Sequence, residues 1–247
     1  MGVSINKVTL IVFSAGSGKR LMPYTLDCPK IFVSLKNKNI FDFVAAPLIS
    51  SHICKKVIVV IKNKRRKYSH LINAYTNLSL VANNFDTKCH CSSSIVAVLE
   101  KLEGDVLFLN SDLLLDKLNV RRLIHTVSTS KTSLIFGVEK QAFDTDCDLQ
   151  KVYVNESGSI ASWSMKLDDF SHYVCGPVLI KAPDLEKLKN RVKALGVLKI
   201  IDKPCFTFFS EMLTEIDYKL NTLRANGFGE IDTPIDLRNC HFKRLIN

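Results

Sequence analysis

No apolar run in the 247 residues approaches the roughly 18 needed to cross a bilayer, so no membrane span is expected. Repeats, low-complexity tracts and linker-like segments are also missing, which sets aside solenoid and disordered classes. One domain over residues 1–247 is therefore expected. Metal-finger spacing is absent as well. Eight cysteines (Cys28, Cys54, Cys89, Cys91, Cys147, Cys175, Cys205 and Cys240) include no C-x-x-C, and "CHC" at 89–91 finds no H-x(3–5)-H partner. That spacing argues against structural zinc. The opening "MGVSINKVTLIVFSAG" carries a short β-branched run that ends in glycines, so it reads as a first strand rather than a signal peptide. Reduced thiols and a cytoplasmic location are expected. Negative charge is scarce: 24 acidic against 34 basic side chains leave a formal +10, which favours anionic partners. The densest basic run, "KNKRRK" at 62–67, has no aromatic platform beside it and reads as a solvated helix start, so nucleic acid is not an expected partner.

What is present begins with "IVFSAGSGKRLMPYTLDCPK" at 11–30, an apolar run that turns into glycines, bases and prolines. A Walker A loop is excluded, because Phe13 stands where its first Gly belongs and Arg20 where its hydroxyl belongs. In the dinucleotide fingerprint Gly16 and Gly18 fit, but the third glycine falls on Leu21. Taken alone, the stretch is a strand-to-loop turn, with or without a ligand.

Around it, apolar β-rich runs alternate with segments of helical spacing. Strands are expected at 7–14, 55–61, 78–82 and 104–110, with helices at 40–50, 65–75 and 93–103 between them. Such alternation predicts a mostly parallel sheet flanked by helices, an α/β Rossmann-like arrangement whose ligands bind at the carboxyl ends of the strands. Further on, 132–138 and 172–180 read as strands, and 149–165 as a hairpin turning at 156–159 and serving as a lid. Helices are expected at 183–194 and 205–217. Two carboxylates fall at suggestive places: Asp112 ends the fourth strand in "NSDLLLD", and Asp232 lies in "GEIDTPIDL". Either could be a plain helix N-cap. Together with a glycine-rich basic loop they also suit Mg²⁺ and a triphosphate, since Mg²⁺ takes one or two carboxylates plus phosphate oxygens.

The run Ala15-Gly16-Ser17-Gly18-Lys19-Arg20-Leu21, followed by Pro23, Thr25 and Pro29-Lys30, resembles the A-G-x-G-x-R-L-x-P-x-T-x(3)-P-K signature of the sugar-phosphate nucleotidylyltransferase superfamily. Ser14 stands where that family usually has Ala. "EIDTPIDL" is similar to an element of its small cytidylyltransferases, such as those acting on phosphocholine. The resemblance implies transfer of a nucleoside monophosphate, CMP from CTP, to a small amine-bearing phosphate or phosphonate with release of pyrophosphate. A sugar 1-phosphate acceptor, or a non-catalytic nucleotide-binding relative, are the alternatives. It implies Mg²⁺ on Asp112 and Asp232, and a nucleotide held by Ser14, Ala15, Gly16, Ser17, Gly18, Ser94 and Asn110. Arg20 would grip the β- and γ-phosphates and Lys30 the α-phosphate. Lys19 would be auxiliary. "CHCSSSIVAV" aligns with a base-recognition loop reading N-N-x-x-S-L, with Ser94 matching and His90 and Cys91 in place of the paired Asn. Tyr173 and Glu211 are the expected acceptor contacts, while Trp163 reads as hairpin packing. A monomer or homodimer is expected.

Overall fold

The computed structural model describes residues 7–62, 65–85, 90–142, 149–201, 203 and 205–238. In chain order these form β1 (Val8–Ser14), β2 (Ser34–Leu35), β3 (Lys38–Asn39), α1 (Ala45–Ser50), β4 (Cys54–Ile61), α2 (Ser69–Ala74), β5 (Leu78–Ala82), α3 (His90–Leu99), β6 (Val106–Asn110), β7 (Leu113–Leu115) and α4 (Lys117–Thr129). Next come β8 (Leu134–Glu139), β9 (Lys151–Val154), β10 (Ile160–Ser164), β11 (His172–Ile180), α5 (Ala182–Leu195), α6 (Cys205–Ser210), β12 (Lys219–Thr222), β13 (Phe228–Glu230) and α7 (Pro234–Arg238).

The main sheet runs β10-β9-β11-β6-β1-β4-β5, with β8 pairing to β11 and β12 to β8. β1 lies parallel between β4 and β6. Its seven residues are all buried because the sheet is covered on both sides. The period of two along the strand sorts them. Leu10 and Val12 join one core with Val57, Val59, Leu107 and Leu109, capped by Leu48 of α1 and Leu123 of α4. Ile11 and Phe13 join the other with Ile58, Val60 and Phe108, capped by Ile95 of α3 and Leu188 of α5. The expected mostly parallel centre flanked by helices is what forms. Chain connections leave β1 toward β4 on one side and reach β6 on the other, so a crevice opens at the carboxyl ends of β1 and β6.

Three expected elements differ in detail. The helix at 40–50 is split: a 3₁₀ turn over Ile40–Phe43, closed by a capping box between Asn39 and Asp42, precedes α1. Restarting there places Pro47 in the first turn, where its missing N–H costs nothing. The helix at 205–217 stops at Ser210 and continues as three-residue turns, with Leu213 N–H donating to Ser210 O and Glu215 N–H to Met212 O. Those tighter turns aim Met212, Ile216 and Tyr218 into the core. The hairpin expected as a lid is part of the main sheet, because β9 pairs antiparallel with β11 and β10 with β9. Trp163 is buried there, edge-on to Tyr218 at 6.3 Å, as a packing residue. No helix among the described residues is long and apolar enough to cross a membrane, and Cys28, Cys54, Cys91 and Cys175 form no disulfide. Cys89 of the "CHC" segment, with Cys147 and Cys240, lies outside the described residues.

Candidate functional site

Where β1 ends, the chain must leave the sheet and return Lys30 to the crevice. Gly18 makes the turn possible: its φ of +66° is one that L side chains rarely adopt, and a Cβ there would stand 3.0 Å from Thr25. The Thr25 hydroxyl donates to the Gly18 carbonyl at 2.7 Å, closing the loop on itself. Two 3₁₀ turns follow the same plan. In Lys19–Leu21 the buried anchor is Leu21, and in Lys30–Phe32 it is Ile31, so Arg20 and Lys30 are carried beside buried residues and held toward the crevice.

The two aspartates arrive from far apart. Asp112 sits between β6 and β7, and the Ile231 N–H donates to its carbonyl at 2.9 Å. β13 pairs antiparallel with β7, placing Glu230 opposite Leu113. At the other end of that short ladder the Asp116 N–H donates to the Gly227 carbonyl at 2.9 Å. A Cβ on Gly227 would come within 2.5 Å of Asp116 Oδ2, so only glycine lets β13 lie this close. Neither aspartate is a cap. Asp116 caps α4, accepting from the Asn119 N–H at 2.7 Å. Asp236 accepts from the Asp232 and Thr233 N–H groups at 2.8 and 2.6 Å, so the turn into α7 is satisfied without the Asp232 carboxylate.

Freed from capping, the carboxylates converge on one cation. Lys30 Nζ lies 3.0 Å from Asp112 Oδ2 and 2.5 Å from Asp232 Oδ1, and Arg20 Nη2 is 3.0 Å from Asp232 Oδ2. Lys30 is 14% exposed and Arg20 74%. The inner pair is therefore shielded from solvent, and the Arg20 contact is a solvent-screened one worth little in stability. Burial pushes the Lys30 ammonium toward a lower pKa, but the two carboxylates outweigh it and hold the group above its ordinary value. Glu230, beside them, is raised to about 8, first by burial and then by the charges of Asp112 and Asp232; Lys30 and Arg20 act against that shift. The carboxylates that pair with the site's cations are the two aspartates.

The donor set fits Mg²⁺. Asp112 Oδ1 is buried without a hydrogen-bond partner, a costly state that a cation would relieve. Two carboxylates already face one positive charge, as Mg²⁺ sites with substrate phosphates require. No group of three or more His, Cys, Asp or Glu side chains suited to a metal occurs among the described residues, so a dedicated protein cage is not what these residues build.

Around this cluster lies a cleft of about 360 Å³, lined by Ser14, Gly16, Ser17, Gly18, Arg20, Lys30, Asn110, Asp112 and Asp232. Ala15 instead borders a smaller cavity that shares part of the loop. The lining also includes Phe13, Lys19, Cys91 and Ser111. Three expected contacts are not brought to the cleft. Ser94 is fully buried on α3, where its Oγ accepts from Asn83 Nδ2 at 3.0 Å. Tyr173 is 3% exposed and packs against Phe170 at 4.9 Å in the core. Glu211 is paired with Lys203, at 2.5 and 2.6 Å. Asn83, just after β5, is buried and reaches across to both Ser93 and Ser94, a contact that spacing along the chain does not signal. Glu230 was visible in "EIDTP" but had no role until its neighbours were placed.

Residues 8–142 match the family model described as 2-C-methyl-D-erythritol 4-phosphate cytidylyltransferase (IspD). Among curated proteins, a CTP:phosphoglutamine cytidylyltransferase of Campylobacter jejuni is 29% identical over 136 residues, 53% of this chain. The match spans about half the length of that relative, 52%. Among solved structures, the inositol-1-phosphate CTP transferase of T. maritima superposes with a TM-score of 0.79 at 17% identity, covering 99% of this chain and 96% of that one. The CTP:phosphocholine cytidylyltransferase of Streptococcus pneumoniae gives 0.78 at 19% identity, covering 96% and 99%. At these identities the likeness is one of fold, the nucleotide-diphospho-sugar transferase type.

Proposed function

The chain belongs to the IspD cytidylyltransferase family, and from that membership and the geometry of the cleft we propose that it is a Mg²⁺-dependent nucleotidylyltransferase using CTP and a small, amine-bearing phosphorylated acceptor. The observation that carries this reading is the meeting of Arg20, Lys30, Asp112 and Asp232, with Lys30 and Asp232 202 residues apart, at the mouth of a cleft lined by the glycine loop.

In the proposed reaction an acceptor phosphate oxygen attacks the α-phosphorus of CTP in line; a P–O bond forms to it as the bond to pyrophosphate breaks. The nucleophile is already ionised at neutral pH, so no strong general base is needed. Catalysis is then positioning and charge stabilisation. The loop from Ser14 to Gly18 offers backbone amides to the nucleotide, Arg20 binds the β- and γ-phosphates, and Lys30, kept charged by its carboxylate neighbours, neutralises charge at the α-phosphate. Asp112 and Asp232 would hold the Mg²⁺, which supplies Lewis-acid stabilisation of phosphate charge when bound. Two of the named relatives, acting on phosphoglutamine and phosphocholine, support the amine-bearing acceptor, whereas the inositol-1-phosphate transferase and the family description favour an amine-free polyol phosphate.

The test is pyrophosphate release with each of the four NTPs against phosphocholine, phosphoglutamine and sugar 1-phosphates. Release with CTP and an amine-bearing phosphate is expected. Release only with a sugar 1-phosphate would move the acceptor class, and no release with any pair, while Mg-NTP still binds, would leave a non-catalytic nucleotide-binding protein.

A further inference from the structure

The phosphate-binding loop borders two cavities. One is the cleft; the other, of about 200 Å³, is bounded by Thr25, Cys28, Lys62 and Tyr68. Ser14, Gly16, Ser17 and Lys30 border both. Ser14 ends the buried strand β1 opposite Ile61 and Ala15 packs in the core, so it is the exposed stretch at Gly16 and Ser17 whose position depends on the hydrogen bonds at the ends of the loop. Two ties are present. At the far end the Thr25 hydroxyl holds the Gly18 carbonyl, and both residues belong to the signature. At the near end the tie lies outside the signature: the Tyr68 hydroxyl stands 2.8 Å from Ser14 Oγ and 3.2 Å from the Ser14 carbonyl.

This second tie is well braced. Tyr68 is 2% exposed, follows the basic run by one residue, and packs its ring against Phe32 at 5.1 Å, one 3₁₀ turn on from Lys30. Both bonds can be made at once: the phenol donates to the carbonyl, and the serine hydroxyl donates to the phenol oxygen. Burial raises the phenol to about 12, so it stays a neutral donor. Ser14 is also where the chain departs from the usual Ala, so the hydroxyl that meets Tyr68 belongs to that departure.

We propose that Tyr68 is a positioning residue: acting through Ser14, it sets where the phosphate-binding loop leaves β1, and with it the backbone amides and Arg20 that meet the triphosphate. This rests on the nucleotidylyltransferase reading and deepens it. Loosening the tie frees the exposed stretch at Gly16 and Ser17, so CTP binding suffers before the chemical step.

Tyr68→Phe, Ser14→Ala and the double variant test it, read by steady-state kinetics, amide hydrogen exchange and thermal melting. Tyr68→Phe is expected to raise the KM for CTP roughly five- to tenfold, the scale of one lost buried hydrogen bond, with a smaller change in kcat. Amides at 15–18 should exchange about tenfold faster while those of Val8–Phe13 do not change. Ser14→Ala keeps the carbonyl bond and should do less. The double variant should be no worse than Tyr68→Phe, because both changes break one tie. Unchanged exchange at 15–18 in Tyr68→Phe would overturn the proposal, as would a strictly additive double variant. If the unmodified protein releases no pyrophosphate with any substrate pair, the proposed function falls, and the exchange measurement still decides the role of Tyr68.

Discussion

The two halves of the main sheet are built by different rules. β1, β4, β5 and β6 are parallel, and the central ones are apolar on both faces. β8 to β11 pair antiparallel, and the outlying strands β9, β10 and β12 are only half-buried. The family match, residues 8–142, covers the parallel half and ends after β8. Three of the four charged groups at the cleft, Arg20, Lys30 and Asp112, come from that half. Asp232 alone crosses to it, carried by the short ladder between β13 and β7. The doubly buried half supplies a fixed platform for the cleft, whereas the outlying strands of the other half are partly exposed.

The largest expected effect comes from removing the shared carboxylates. Asp112→Asn or Asp232→Asn should lower pyrophosphate release by about 10²–10³-fold, since each removes a proposed Mg²⁺ ligand and a partner of Lys30; circular dichroism should show the fold retained. Equal activity in Asp232→Asn would mean that the crossing residue is not needed and that the parallel half works alone. Lys30→Met comes next, with kcat/KM expected to fall about 10²-fold. Because it leaves two carboxylates facing each other with only the exposed Arg20 as a cation, its melting temperature should rise more steeply on adding Mg²⁺ than that of the unmodified protein. Gly227→Ala strikes the crossing itself. The new Cβ meets Asp116, so β13 must shift at a cost of about 1–3 kcal/mol, read as several degrees in Tm, with activity lowered through displacement of Asp232. The smallest effect belongs to the other half: Trp163→Phe should cost about 1 kcal/mol of stability and leave kcat/KM for CTP within about twofold. A large rise in CTP KM there would tie the hairpin to the nucleotide after all.

Legibility followed the same divide. The loop from Ala15 to Lys30 could be read because its chemistry is local: glycine where the backbone must turn, a basic residue beside each buried anchor, and Thr25 spaced to close the turn. Asp112 was legible as a carboxylate ending a buried strand. Ser94 was found by pattern but is engaged by Asn83, a contact across a β-strand-to-helix connection that spacing does not reveal. Tyr173 looked available as an aromatic acceptor contact, yet β11 is covered on both faces and the ring is spent on packing. Glu211 read as a free carboxylate on a helix, but the helix ends one residue earlier and Lys203 occupies it.

Composition, the alternation of strand and helix, and the spaced signature were enough by themselves to determine an α/β sheet with a glycine-rich basic loop at its carboxyl edge, because those properties depend on side-chain type and short separations. Only the tertiary structure decided which carboxylates are free for chemistry. Asp116 and Asp236 satisfy the helix ends, and the Ile231 to Asp112 main-chain bond brings two strands together. That leaves Asp112 and Asp232 facing one buried ammonium. Whether an aspartate caps a helix or serves a site depends on which backbone N–H groups lie within 3 Å of it. Across 120 residues of chain, that is settled by packing alone.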